Sequence, residues 1–139
     1  MTLPRSAALA LILVTVATAA GCVDRLPDQD LRILSATAVA KMPVDALASD
    51  YRADRAAADR QYWSKPIEVS GEVSNTRETA TGPVLVFVDK MGSEIVEATL
   101  LDEQSKAVLE AVGKSKRIRL KCYCDGLATT VRLKSCVLP

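Results

Sequence analysis

With 139 residues the chain has room for one domain of common size, and with no histidine it lacks the commonest general base, the usual catalytic-triad partner and the commonest metal ligand. Apolar residues make up 49% of the chain but aromatics only 4%, so a core of Leu, Val, Ile and Ala is attainable and small. The net charge of +1 conceals a dipole: residues 22–112 carry ten Lys and Arg against sixteen Asp and Glu, and residues 113–139 carry seven against Asp125 alone. Such a balance permits electrostatic steering but gives no general affinity for nucleic acid.

The chain opens on a short n-region, residues 1–5, with one positive charge at Arg5, followed by an apolar run over residues 7–20. That run falls short of the about 20 apolar residues a bilayer-spanning helix needs. A basic n-region, a short apolar run and small residues before a break point predict an export signal over residues 1–21 that is removed. Its end, Ala19-Ala20-Gly21-Cys22, resembles the lipobox of bacterial lipoproteins, although that family prefers Leu where this chain has Ala19. The resemblance implies acylation of Cys22 as the mature N-terminus. It also implies attachment to a membrane of the bacterial cell envelope, facing the periplasm. The competing reading is plain cleavage after Ala19 or Ala20, since Ala17-Thr18-Ala19 is an A-x-A site, which makes the product secreted or a soluble periplasmic protein.

Residues 22–42 have no firm period beyond a weak helical one around residues 31–39, and read as a tether to a domain over residues 43–139. The competing view there is a partly ordered first helix. Residues 43–63 predict one helix. Pro43 fits its first turn, Val44, Leu47, Tyr51, Ala58 and Tyr62 make one apolar stripe, and Arg55 and Asp59 stand at i,i+4. Pro66 stops it. Ile67, Val69, Gly71 and Val73 then alternate with Glu68, Ser70, Glu72 and Ser74, the period of a half-buried strand, with Gly71 marking a bulge or bend. Residues 84–88 form a continuous apolar run, a buried strand, and residues 95–101 a third strand. Asp102 as N-cap and Gly113 as C-cap frame a short helix. Residues 115–124 are a fourth strand, Asp125-Gly126 a turn, and residues 129–138 a fifth strand.

Three strands, a short helix and two strands follow the order of an OB-fold, a five-stranded Greek-key barrel. Two runs carry the comparison further: Ala58 to Tyr62, Lys65 and the Val69, Gly71, Val73 alternation; then Ile118, Leu120, Cys122, Cys124, Asp125 and Gly126 with Val131, Leu133 and Cys136. Together they resemble the tRNA-anti-like OB-fold domains of exported bacterial lipoproteins, over residues 43–139. The resemblance implies a mainly β barrel with an N-terminal helix and a short helix between strands three and four. It brings no defined activity. One departure stands out, because Cys122 occupies a position where the family tends to carry glycine.

In such a barrel strands four and five are neighbours, which implies a Cys124–Cys136 disulfide and leaves Cys122 as a buried free thiol. Cys136 shares strand parity with the outward Arg132 and Lys134, so either a bulge near Lys134 and Ser135 or a pair at the barrel end has to reconcile the faces, and Cys122–Cys136 is the alternative pairing. Arg117, Arg119, Lys121, Arg132 and Lys134 make a candidate basic binding face on two adjacent strands. Its bland reading is a solvated barrel face, and with Tyr123 the only aromatic on those strands it lacks the stacking platforms of single-strand binders. Tyr62 is expected in the core or as a lid on it, and Glu68 and Glu72 as solvated glutamates. The chain therefore reads as a non-enzymatic, envelope-anchored binding module for a protein or glycan, with no catalytic residues, metal or cofactor and no nucleic-acid partner. The alternative is a thiol redox or metal-handling protein working through Cys122, Cys124 and Cys136.

Overall fold

A computed structural model of the chain describes residues 27–139; the expected export signal and lipidation site, residues 1–22, lie outside them. The described chain is mainly β, with strands β1 (Lys41–Pro43), β2 (Pro66–Glu72), β3 (Asn75–Thr79), β4 (Gly82–Val88), β5 (Glu94–Leu100), β6 (Arg117–Leu127) and β7 (Val131–Val137). Three α-helices accompany them: α1 (Val44–Ala53), α2 (Arg55–Tyr62) and α3 (Asp102–Lys114).

The expected five-stranded closed barrel is replaced by one open seven-stranded sheet in the order β1-β2-β6-β7-β5-β4-β3. Two differences account for the count. The first predicted strand is β2 and is followed directly by β3, which the sequence reading did not contain, and Lys41–Pro43 adds a parallel edge to β2. Between β2 and β3, the Val73 N–H donates to the Lys116 carbonyl (2.8 Å) and the Ser74 N–H to the Val86 carbonyl (2.9 Å). Consecutive residues thus bond on opposite sides of the central strand β7. Gly71 lies just before this switch, as the sequence indicated. A Cβ built there would stand 2.7 Å from Val44 Cγ2 and 3.1 Å from Phe87 Cδ1, so the missing side chain is what lets α1 and β4 close over β2.

The single helix expected over residues 43–63 is broken. Pro43 has extended backbone (φ −64°, ψ 151°) and precedes α1 rather than entering it. Asp54 is also extended (φ −158°, ψ 99°) and caps α2, its carboxylate accepting the Ala57 N–H at 3.0 Å. An aspartate offers the backbone this local alternative to helical bonding. The break lets the chain double back: the Tyr51 and Tyr62 rings lie 6.4 Å apart, where eleven residues of unbroken helix would separate them by about 16 Å. The Tyr62 hydroxyl donates to Asp50 at 2.7 Å. The predicted stripe survives the break, because Val44, Leu47, Tyr51, Ala58 and Tyr62 are all buried in the main core with Leu85, Phe87, Val96, Leu120 and Leu133. The Arg55–Asp59 pair does not form. Arg55 donates to the Leu127 carbonyl, and Asp59 accepts the Tyr51 hydroxyl.

Two caps and one turn move by a residue or more. Leu101 precedes α3, whose first N–H, on Asp102, is taken by the Gln29 side chain at 2.8 Å, and the helix runs one residue past Gly113. Asp125 and Gly126 lie within β6, Gly126 at φ +80°, and the chain reverses after Leu127. In the stretch read as a tether, residues 28–36 pack on the domain. Asp30 starts a 3₁₀ turn, Leu31–Leu34, and Ile33 is fully buried against Leu101, Tyr123 and Val137. This arm is bound rather than free because its backbone has partners in β7, described next.

A candidate binding groove walled by the N-terminal arm

Past Lys134, strand β7 carries one residue more than either neighbour. Its register pairs Cys124 with Leu133 and Tyr123 with Lys134, and then jumps to Lys121 with Val137; against β5 it jumps from Ala98–Leu133 to Leu100–Cys136. The extra residue is Ser135, in the left-handed region at φ 53°. A bulge of this kind re-aims the side chains beyond it. It does so here for three residues, and those three organise both the interior and the groove.

Cys136 is turned inward and bonds to Cys122 across a Cα separation of 4.3 Å. The expected Cys124–Cys136 pairing is therefore corrected, and so is the assignment of Cys122 as the free thiol. The bulge was one of the two expected ways to reconcile the faces, but it brings Cys136 opposite Cys122, because Cys124 is already paired with Leu133 one step before it. Among the described residues Cys124 is the free cysteine, fully buried and 3.4 Å from the Tyr51 hydroxyl. Burial pushes its thiol above the ordinary value, only partly opposed by its hydrogen bond with the Tyr51 hydroxyl and by the Gly126 backbone. Tyr51 is raised in turn by burial and by its contacts with Cys124 and Asp59. A sealed, protonated thiol has the surroundings of an inert cysteine rather than a reactive one. Among the described residues no group of three or more Cys, Asp or Glu could hold a metal ion.

Ser135 itself is fully buried, and its hydroxyl is the fastening point of the arm. Oγ accepts the Asp30 N–H at 2.8 Å and donates to the Asp28 carbonyl at 3.0 Å. Beside it Lys134 meets the carboxylates of Asp28 and Asp125, each at 3.0 Å. Burial opposes the charge on Lys134, but the two carboxylates outweigh it and its pKa ends above the usual lysine value. The hydrogen bond from Arg32, against some cost of burial, holds Asp30 below the usual carboxylate range. Gln29 completes the arm by donating to the carbonyls of Leu100 and Thr81.

Between this arm and the β3–β4 hairpin runs a groove of about 350 Å³. Arg77 and Thr79 of β3, Thr81, Glu97 and Thr99 of β5, and Arg132 and Lys134 of β7 line it with Asp28 and Asp125. Arg77 lies across the hairpin in ion pairs with Glu94 and Glu97. Three cations thus face three carboxylates, with threonine hydroxyls between them and no aromatic ring. One border is β3, exposed at all five positions and paired only with β4.

The candidate basic face is not the continuous patch its five residues suggested. Lys134 is held by Asp28 and Asp125, and Lys121 donates to the Leu34 and Ala36 carbonyls of the arm. Arg119 shares Glu68 with Lys41, both contacts at 3.5 Å. Arg117 is exposed on β6, and Arg132 alone of the five joins the groove as an exposed cation. Glu68, expected to be solvated, is buried at 8% exposure because β1 covers it and supplies Lys41. Tyr62 is in the core as expected, while Trp63 stays half exposed against Gly126. Of the groove, Asp28, Arg77, Thr79 and Glu97 were not singled out by sequence reasoning. Of these only Glu97 carried a signal, the alternation of β5; Asp28 in the arm and Arg77 and Thr79 in β3 had none.

The family model of the tRNA_anti-like domains, which are OB-fold-like, matches residues 2–137, and the chain belongs to that family. No curated protein and no solved structure matches it.

Proposed function

From membership of the tRNA_anti-like family we propose that this chain is a non-enzymatic binding module of the bacterial envelope, anchored through acylated Cys22, that takes an extended segment of a protein partner along the groove beside β3. OB-folds bind ligands across this part of the sheet and at its connecting loops. The observation that carries the choice of a polypeptide is the open edge of β3 next to a groove of mixed charge. An extended segment added to that edge gains main-chain hydrogen bonds, and alternate side chains meet Arg77, Arg132 and the carboxylates. A nucleic acid would meet as many carboxylates as cations and no ring on which to stack a base. A glycan finds hydroxyls and charges but no aromatic platform, which makes it the weaker fit.

The test is site-specific photo-crosslinking in membranes, with the photoreactive side chain at Thr79 and, as control, at Met91 in the β4–β5 turn. A discrete adduct at Thr79, absent at Met91, abolished by protease digestion and indifferent to glycosidase, is the expected result. An adduct removed by glycosidase, or equal labelling at both positions, overturns the polypeptide reading. The thiol alternative makes its own demand: reversible oxidation of Cys124 in the native protein, which the buried position of that residue opposes.

A further inference from the structure

The arm presents a second surface, facing away from its ties to β7. Six large apolar side chains are exposed among the described residues, and three of them, Leu31 (53%), Leu34 (45%) and Val39 (60%), fall within residues 31–39, on the arm and just after it. A fourth, Leu138, follows Val137, which packs on Ile33 of the same turn. Leu31 and Leu34 stand three apart in a 3₁₀ turn, where such side chains align one above the other. Residues 31–43 contain no Asp or Glu at all.

The charged groups around this surface are equally one-sided. Arg32 belongs to the turn itself, Lys121 bonds the Leu34 and Ala36 carbonyls, and Lys41 and Arg119 stand at Glu68 on the next two strands. Against these four cations are Asp30 and Glu68, both buried and already paired, and the half-exposed Asp28, which is bound to Lys134 on the groove side. Exposed leucines rimmed by Arg and Lys match the interfacial zone of an anionic bilayer, where apolar side chains enter the headgroup boundary and cations meet phosphate. Among the described residues no helix is long and apolar enough to cross a membrane, so such contact is made at the surface.

Chain length supplies the occupant. Asp28 is fixed to the domain by Ser135 and Lys134, and it stands only six positions after Cys22. Fully extended, six residues span at most about 20 Å. We infer that the 3₁₀ turn is a membrane-contact surface, with Leu31, Leu34 and Val39 seated in the headgroup region of the bilayer that holds the Cys22 lipid and with Arg32, Lys41, Arg119 and Lys121 on its phosphates. This rests on the anchoring part of the proposed function, and it gives the domain a defined orientation instead of a freely swinging one.

The chain has a single tryptophan, which makes the test direct. The full-length protein, processed in a bacterial envelope and reconstituted into phosphatidylethanolamine–phosphatidylglycerol vesicles with brominated acyl chains, carries Trp63→Phe together with either Leu34→Trp or Met91→Trp. Vesicle flotation reads the anchor, and quenching reads the docked face. The expected result is flotation of both variants, with blue-shifted, quenched emission for Leu34→Trp and unquenched emission for Met91→Trp. Both target positions are exposed, and near-ultraviolet circular dichroism confirms that each variant is folded. Flotation without quenching of Leu34→Trp, or equal quenching of the two, overturns the docked surface while the anchor stands; failure to float overturns both. In the same vesicles Leu31→Glu with Leu34→Glu should speed backbone hydrogen exchange over residues 31–43, and an unchanged rate counts against the contact.

Discussion

Strands β2 and β3 are consecutive pieces of one stretch of chain, and they have opposite fates. β2 lies between β1 and β6 and buries Ile67, Glu68, Val69 and Gly71, while β3 has β4 on one side only and buries nothing. The switch occurs at Val73 and Ser74, whose amides bond on opposite sides of the central strand β7. The contrast separates two uses of the same backbone. Where both edges are paired and both faces covered, side chains determine stability; where one edge is open, they are available to a partner and nearly irrelevant to folding.

The sharpest way to break this comparison is to exchange the expectations of its two halves. Ile67→Ala in β2 should cost about 2–5 kcal/mol in urea denaturation, and Thr76→Ala in β3 should change stability by no more than about 0.5 kcal/mol. Equal effects would mean that β3 is covered in solution. Next in size is the cross-link. Replacing both Cys122 and Cys136 by Ala should cost about 2–4 kcal/mol, since the bond closes a 14-residue separation. Peptide mapping without reduction should tie Cys136 to Cys122, with Cys124 alkylated only after unfolding. Gly71→Ala comes third, at about 1–3 kcal/mol from overpacking against Val44 and Phe87. A neutral result would show that α1 gives way there and that the seam between β2 and β3 is loose.

The smallest effect concerns the arm, the wall of the groove that β3 does not make. Asp30 has its folded-state pKa lowered, so its contribution is present above the unfolded value of about 3.9 and is lost as pH falls through the folded one. Lys134 is raised, so its contribution is complete below about 10.4 and is lost only as pH rises through its folded value. Stability from these two groups should therefore be flat across neutral pH. Asp30→Asn should flatten only the acid limb of a plot of urea midpoint against pH.

Periodicity made most of the elements legible. The alternation around Ile67 and Val69, the apolar run at residues 84–88 and the stripe from Val44 to Tyr62 each lie where their burial requires. Long-range events were not legible. Nothing local in Asp54 distinguishes a solvated helical aspartate from one that caps a second helix, because the difference is where Tyr62 ends up. β1 was missed since three residues beginning at Lys41 carry no period, and their strand exists only because β2 offers a free edge. The cysteines show the same limit. The need for a bulge or an end pairing followed from the mismatch between Cys136 and its neighbours, but which side of Tyr123 it would face depends on the register with Leu133. The candidate basic face failed for a related reason: strand parity gathers cations on one side, whereas their carboxylate partners arrive from the arm and from β2.

Ser135 joins the arm to the cross-link, and that has a mechanical meaning. A pull on the N-terminus enters the domain at Asp28 and Asp30, passes to the Ser135 hydroxyl and Lys134 on β7, and one residue later reaches the covalent bond between Cys136 and Cys122. Tension is thereby delivered to β6 and β7 in the middle of the sheet, where neighbouring strands share it, and β3 is left slack while the rest of the molecule is under load.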